Sequence, residues 1–437
     1  MALLAFLVAV ATATIAPAEN PREWIDAKTG HRVIVVSDAP GASSPYFNYS
    51  AFTPQGDKMV ISTDSGISSV DLKTWQVSPV VQGQGVQLLF TGAKTRNVYY
   101  IQRAAVAGQP VRGPRPGIIW AADIDTGKAR RIADLPRGGI ATINADETLM
   151  AGQVEERPTE LQPGTAGRDR RFDQAAYAAV GSDGKPLSFA EAKEVRLNER
   201  LEAKVPMEIF TIDTRTGARK VLQRSTDWLN HLLFSPTDPT LLMFCHEGPW
   251  HKVDRIWTIR TDGTRLTKIH PRTMNMEIAG HEWWSPDGKT IWYDLQTPRG
   301  EVFWVAGYEV DTKKRRWYAV DRNEWSVHFN IAPDQKRFAG DGGDSEMVAH
   351  APDGKWLYLF HPRGIPDVAG IHADNAASLI QPGVFDSEKL VDMSKHDYRL
   401  EPNVHFTPDG KWLVFRSNME GKNGVYAVEL AKAGSAQ

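Results

Sequence analysis

Three histidines occupy the same place in three successive segments of the chain. His231, His281 and His328 each lie five positions before a turn proline, at Pro236, Pro286 and Pro333. Tyr49 and Asn403 hold that place before Pro54 and Pro408. Each turn separates two β-rich apolar runs, as in HEWWSPDGKTIWYDLQ, so each segment predicts a hairpin. Antiparallel pairing returns the end of the second strand to the rim where the first began. Polar groups follow at those ends: His246 and Glu247, Asp294 and Gln296, Asp341–Asp344, and Arg416 with Asn418. Imidazoles with Gln, Asn or Asp make a mixed N/O site suited to Mn, Fe, Ni or Zn. A metal beside a free histidine and an arginine suits chemistry on a carboxylate-bearing substrate. The metal polarises the carboxylate, a histidine takes the adjacent C–H proton, and the arginine holds the developing charge. Taken singly, a histidine at a strand start is a hydrogen-bonded core group, and an acid there is a turn or cap residue. Three histidines in one register exceed what a structural position asks for.

The elements that must position these groups form a repeat. Seven hairpin units align on their turns, beginning at Asn48, Val86, Gly139, Asn230, Gly280, Val327 and Asn403. Third strands with Asp-, Thr- and Gly-rich turns follow most of them, as in ADIDTGK from Ala122 and FTIDTRTGA from Phe210. Four strands per unit at a period of ~40–50 residues predict an all-β, seven-bladed β-propeller. Glu23–Ser37 reads as an outer strand without its own hairpin. It is expected to complete the last blade and close the ring, which removes exposed sheet edges. Two insertions, about 155–203 and 361–399, interrupt blades three and six and are expected to roof one face. A helix is predicted over Phe189–Arg200, with Ser188 as N-cap and Glu191 at capping-box spacing. His350, His361, His372 and His396 fall outside the register and read as surface or loop histidines. His405, two positions after Asn403, can face the axis.

Among 437 residues the net charge is −2, with both signs interspersed, which excludes a nucleic-acid patch and a basic membrane face. Fourteen Trp suit β cores and stacking on sugar rings, and Trp250 and Trp283 lie close to the rim in sequence. The single cysteine, Cys245, follows an LLMF run and reads as a buried small hydrophobe. The first residues form a short apolar run ending in Ala16-Pro17-Ala18, although without a basic start. This predicts a signal peptide over 1–18, a mature propeller over 19–437 with no membrane span, and a periplasmic or secreted location.

Several of these segments resemble the oligogalacturonate lyases of the seven-bladed propeller type. They are HLLFSPTDPTLLMFCHEGPW from His231, VDRIW from Val253, GHEWWSPDGKTIWYDLQ from Gly280, HFN from His328 with GDGG after it, and EPNVHFTPDGKWLVFRSN from Glu401. The resemblance implies β-elimination on short α-1,4-linked galacturonides, assisted by Mn²⁺ held by histidines and a glutamine. It implies His281 as the first metal ligand. The family's Gln-x-x-His-x-His cluster falls on Asn323–His328, where Asn323 and Ser326 replace the first two ligands and His328 keeps the last. Gln296, His405 or Asn403 can complete the set. His231 corresponds to the proton-abstracting histidine, with His246 as the alternative. The strand PMEIFTID carries no counterpart of the substrate-binding arginine, and Arg200 is the nearest candidate. Glu247, Trp250, Trp283, Gln296 and Arg416 are expected to contact a uronate oligosaccharide. Two other classes stay open: a propeller that only binds a protein or glycan, and a hydrolase using paired carboxylates among Glu247, Glu282 and Asp294. A serine peptidase is excluded, because the chain has neither room for a hydrolase domain nor a G-x-S-x-G elbow.

Overall fold

The computed structural model describes residues 22–104, 115–157, 159–161, 164–169, 174–177, 179–344 and 354–434. The expected signal peptide and His350 lie outside them. Among the described residues no helix is long and apolar enough to cross a membrane.

Among the described residues the strands form seven blade-like antiparallel units, two of them joined into one eight-stranded sheet, and a separate hairpin of Thr165–Asp169 and Gln174–Tyr177. Blade four shows the pattern: Trp228–Phe234 innermost, then Leu241–Glu247, Ile256–Arg260 and the short Thr267–Lys268. In blade one the innermost strand is reduced to a single bridge, Phe52 to Met59. Each blade is apolar on both faces because it packs against a neighbour on each side. Seven buried clusters result, each shared mainly by two adjacent blades. One joins Leu229 and Phe244 of blade four to Ala151 and Ile209 of blade three. Another joins Val414 and Val425 of blade seven to Met59 and Ile61 of blade one, so the ring closes.

Closure uses the N-terminal segment as expected, with one strand more. His31–Ser37 pairs antiparallel with Gly424–Lys432, and Glu23–Ile25 folds back on it as a fifth strand. The chain then crosses the axis before entering blade one. Three blades hold this crossing. His405 Nε2 donates to Pro45 O at 3.0 Å, and Phe47 N donates to Asn403 Oδ1 at 3.2 Å. Asn330 Nδ2 donates to Phe47 O at 2.8 Å, and Asn48 Nδ2 donates to Glu282 O at 2.9 Å. Residues 45–48 thus plug the axis, a feature that the repeat pattern does not reveal.

The two insertions differ. The first contains the predicted helix, α1, over Phe189–Ala203, and both capping-box bonds are present between Ser188 and Glu191. It reaches the axial face. The second does not form the expected roof. It lengthens the hairpin of Trp356–Gly364 and Gln381–Asp392, and the far end pairs in parallel with Arg315–Val320, the outer strand of blade five. This places it at the circumference, where it braces two blades.

Candidate active site

The repeated histidine position is a repeated irregularity. His231 and His281 have left-handed backbone, with φ of 46° and 39°, and Asn403 in the same register has φ of 53°. The strand register shifts between Asn230 and Leu233 and again between Gly280 and Trp283. A bulge turns a side chain off the ladder, and a non-glycine residue held at positive φ costs about 1–3 kcal/mol. Strain of this kind at equivalent positions is a mark of a functional rim.

The side chains so directed line a narrow cavity of ≈ 110 Å³ above the plug. Its wall includes Tyr46, Lys193, His231, Glu247, Trp250, Arg255, His281, Asp294 and Glu401. A larger axial cavity of ≈ 380 Å³ is lined by Phe47, Trp283, Phe234 and turn residues, and carries no carboxylate, ammonium or guanidinium. The charged side chains belong to the smaller one.

His281 lines that cavity, the fully buried His328 packs behind His281, and each imidazole is held by an acid. His281 Nδ1 lies 3.1 Å from Asp294 Oδ1, and His328 Nδ1 lies 2.7 Å from Asp341 Oδ2. Their ring centroids are 4.7 Å apart. Tyr46 Oη lies 3.1 Å from His328 Nε2, and the Glu401 carboxylate lies 3.9 Å from it. Burial acts to lower the His328 pKa, but Asp341, with Glu401 and Asp294, outweighs it and the value rises. Carboxylates accepting from both Nδ1–H groups fix the neutral tautomers and leave the Nε2 lone pairs free, the arrangement that supports metal-bound histidines. His281 and His328 therefore present the imidazole type of ligand that divalent cations of the N/O-binding class take, but with Glu401 they are not among the described residues whose ligand atoms converge within 4.8 Å.

A second group lines the same cavity from the neighbouring blade. His231 Nε2 lies 3.7 Å from Glu247 Oε2, and Asn230 Nδ2 donates to Glu247 Oε2 at 2.6 Å. Burial lowers the His231 pKa, so the ring is neutral near pH 7 and can accept a proton. Burial acts to raise the Glu247 pKa, yet His231, Arg255 and Lys193 hold it down at about 2. Arg255 Nε donates to Glu282 Oε2 at 2.9 Å, and its guanidinium lies 4.0 Å from Glu247. His231, Cys245 and Glu247 place ligand atoms within 4.8 Å of one another. A cation is disfavoured at that trio, since Arg255 stands beside it and burial raises the Cys245 thiol pKa well above its usual value.

Of the residues singled out in the sequence, His231, Glu247, Trp250, His281 and Asp294 line one cavity, His328 and Asp341 lie directly behind His281, and the following do not join them. His246 projects from the opposite face of its strand, where Nδ1 meets Asp227 Oδ2 at 2.7 Å and the ring packs on Trp257. Strand alternation forces this, because Glu247 is its neighbour. Arg200 is tied to Glu155 at 2.5 Å and lies over Trp228, away from the cavity. Gln296 is buried below the rim, where its Oε1 accepts from Gly300 N at 2.7 Å. Asn323 sits on an exposed 3-10 turn, where its N–H donates to Asp321 Oδ1 and its carbonyl accepts from Tyr358 Oη. Arg416 holds Glu401 O and Ser43 Oγ, and Trp283 is a core residue under Phe47. Ser326 accepts from Gly342 N at 3.0 Å and is packed so tightly on Gly340 that a Cβ there would lie 2.3 Å from its Oγ. It supports the strand turn rather than the cavity. His396 is buried, not superficial, and bonds Ser417 Oγ and Leu400 O.

Tyr46, Lys193, Arg255 and Glu401 were missing from the sequence candidates. Arg255 had a usable signal. The third strand of a blade begins on the rim where the second ends, and Arg255 immediately precedes Ile256–Arg260. Tyr46 and Lys193 arrive from the axial crossing and from α1, neither of which belongs to the repeat.

These features define a β-propeller with a histidine–carboxylate site at the mouth of its axis. The family model described as oligogalacturonate lyase matches residues 192–434, more than half of the chain. The chain belongs to the oligogalacturonate lyase family. It is 25% identical over 229 residues to the oligogalacturonate lyase of Dickeya dadantii (strain 3937), covering 51% of this chain and 55% of that protein. It is 26% identical over 229 residues to the oligogalacturonide lyase of Pectobacterium atrosepticum, with the same coverage of 51% and 55%. The chain thus spans about half the length of the curated relatives it matches. Over 94% of its length it is similar in fold to an oligogalacturonate lyase in complex with manganese, covering 96% of that chain at 22% identity with a TM-score of 0.68. It is likewise similar to the oligogalacturonate lyase of Vibrio parahaemolyticus, at 20% identity and a TM-score of 0.70, over 94% of this chain and 97% of that one.

Proposed function

We propose that the protein is an exported polysaccharide lyase that cleaves short oligogalacturonides or related uronate oligomers by β-elimination, assisted by Mn²⁺ or a similar divalent cation. The observation that carries this reading is the meeting of two groups at one small cavity. One is His281, backed by Asp294, with the buried His328 and its Asp341 behind it. The other is the neutral His231, backed by Glu247. Family membership and the manganese complex of a structural neighbour support it.

In this reading His281 and His328, with Glu401 nearby, would hold the cation, which would supply electron withdrawal from the substrate carboxylate and so acidify the adjacent C5–H. His231 takes the C5 proton. The C5–H electron pair becomes the C4–C5 double bond, the C4–O bond breaks, and the leaving oxygen acquires a proton to end as a hydroxyl. Glu247 stabilises the imidazolium that forms at His231, as an acid behind a catalytic histidine does. Arg255 remains cationic beside Glu282 and Glu247 and offsets their charge near an anionic substrate. Burial raises the Tyr46 pKa well above its usual value, so its hydroxyl keeps its proton and can hydrogen-bond the sugar.

The test is ultraviolet absorbance during incubation with uronate oligomers and Mn²⁺. A lyase makes a double bond conjugated to the carboxylate, which absorbs. A hydrolase gives new reducing ends without absorbance, and a binding propeller gives neither.

A further inference from the structure

Two cationic side chains besides the histidines line the cavity, and they differ in state. Arg255 is engaged with Glu282 and lies near Glu247. Lys193, on the first half of α1, forms no hydrogen bond or ion pair with any described residue, although it lines the same wall. Its charge is felt by both Glu247 and Glu401.

Lys193 is not carried on a loose segment. The capping box fixes the start of α1, and Arg200 near its end is tied to Glu155. Arg299 pairs with Glu194 at 2.5 Å and lies over the Trp250 ring at 5.2 Å. Lys252 Nζ donates to Asn198 Oδ1 at 2.5 Å. Blades three, four and five therefore pin the helix, and its ammonium is held at a cavity wall that Trp250 shares. A preorganised cation without a protein partner, in a cavity that also carries an aromatic residue, suits a sugar bearing a negative charge.

We propose that Lys193 binds the carboxylate of a second uronate, the unit bonded to the sugar that loses its C5 proton. This rests on the β-elimination reading and deepens it. The His281–His328 side takes one carboxylate and Lys193 takes the next. The site then recognises a uronate–uronate linkage and discriminates against esterified neighbours.

The experiment compares digalacturonate with the same dimer methyl-esterified on the sugar that keeps its C5 proton. Wild type, K193M and K193R are assayed for conjugated product. Binding of both dimers is also measured by calorimetry in the H231A background, which requires no turnover. A lost charged hydrogen bond predicts that esterification costs the wild type about tenfold to hundredfold in kcat/KM, mostly through KM. K193M should treat the two dimers alike within about twofold, and K193R should keep most of the preference. Equal discrimination by K193M and wild type, or no discrimination by wild type, overturns the proposal. Binding discrimination that depends on Lys193, without conjugated product, overturns the β-elimination reading alone.

Discussion

Replacing Arg255 should unfold the protein more readily than any surface change, and the loss should be largely repaired by a second substitution. Arg255 and Glu282 have side-chain exposures of 8% and 0% and are joined at 2.9 Å. Glu282 Oε1 has no other partner, and its carboxyl is ionised because Arg255, with His231, outweighs the burial that acts to raise its pKa. R255M leaves that charge buried and uncompensated, and leaves Glu247 with one cation fewer. Breaking a buried pair by removing one partner costs about 3–5 kcal/mol. With an unfolding entropy of about 2.1 cal/mol/K per residue, roughly 400 ordered residues give about 0.8 kcal/mol/K. The expected fall in the thermal midpoint is therefore about 4–6 °C. R255M/E282Q removes the stranded charge and should recover more than half of that fall, a coupling that a double-mutant cycle reads directly. Differential scanning fluorimetry of wild type, both single variants and the double variant is the assay. A double variant that falls by the sum of the two singles would refute the reasoning, because the pair would then carry no shared term.

Two further outcomes are expected. D341N removes the carboxylate behind His328 Nδ1 and should weaken Mn²⁺ binding about 10–100-fold by calorimetry, with the fold retained. Acid should destabilise the protein through His396 and His405, whose burial holds their pKa values at about 4. The unfolded chain binds these protons near pH 6.5, so their contribution is intact above about 6.5 and is lost as pH falls towards 4. At 1.36 kcal/mol per pKa unit, each is worth up to roughly 3 kcal/mol at the acid end. Urea midpoints at pH 7, 5.5 and 4.5 should fall in that order, and H396N should flatten the fall.

Much of the architecture was legible because a propeller repeats its signals. The turn prolines set a register, and the register exposed His231, His281 and His328 as outliers. Hairpin pairing then predicted that Asp294 shares a rim with His281, and the two are in contact. What failed was local or non-repeating. His246 and Glu247 are adjacent, so a strand must send them to opposite faces, and the rim argument alone does not choose between them. Arg200 looked close in sequence, but its partner Glu155 holds it outside the cavity. Asn323 and Gln296 are spent on turns at the rim. Tyr46 enters through a crossing segment that has no periodicity to betray it, and Lys193 through a helix whose capping was readable but whose docking depends on Arg299 and Lys252. The positive φ at His231 and His281 is only weakly signalled by residue type: histidine is enriched there among non-glycine residues, but left-handed backbone stays uncommon for it.

The most direct test is the rate of conjugated-product formation by wild type and H231A on digalacturonate at saturating Mn²⁺, with the C5 position protonated or deuterated. The account predicts ultraviolet-absorbing product from wild type, a primary isotope effect, and a loss of about 10²–10⁴-fold in H231A, the range that a positioned general base contributes. Unimpaired turnover by H231A would contradict it, as would sugar release without absorbance, and the cavity would then have to work by different chemistry.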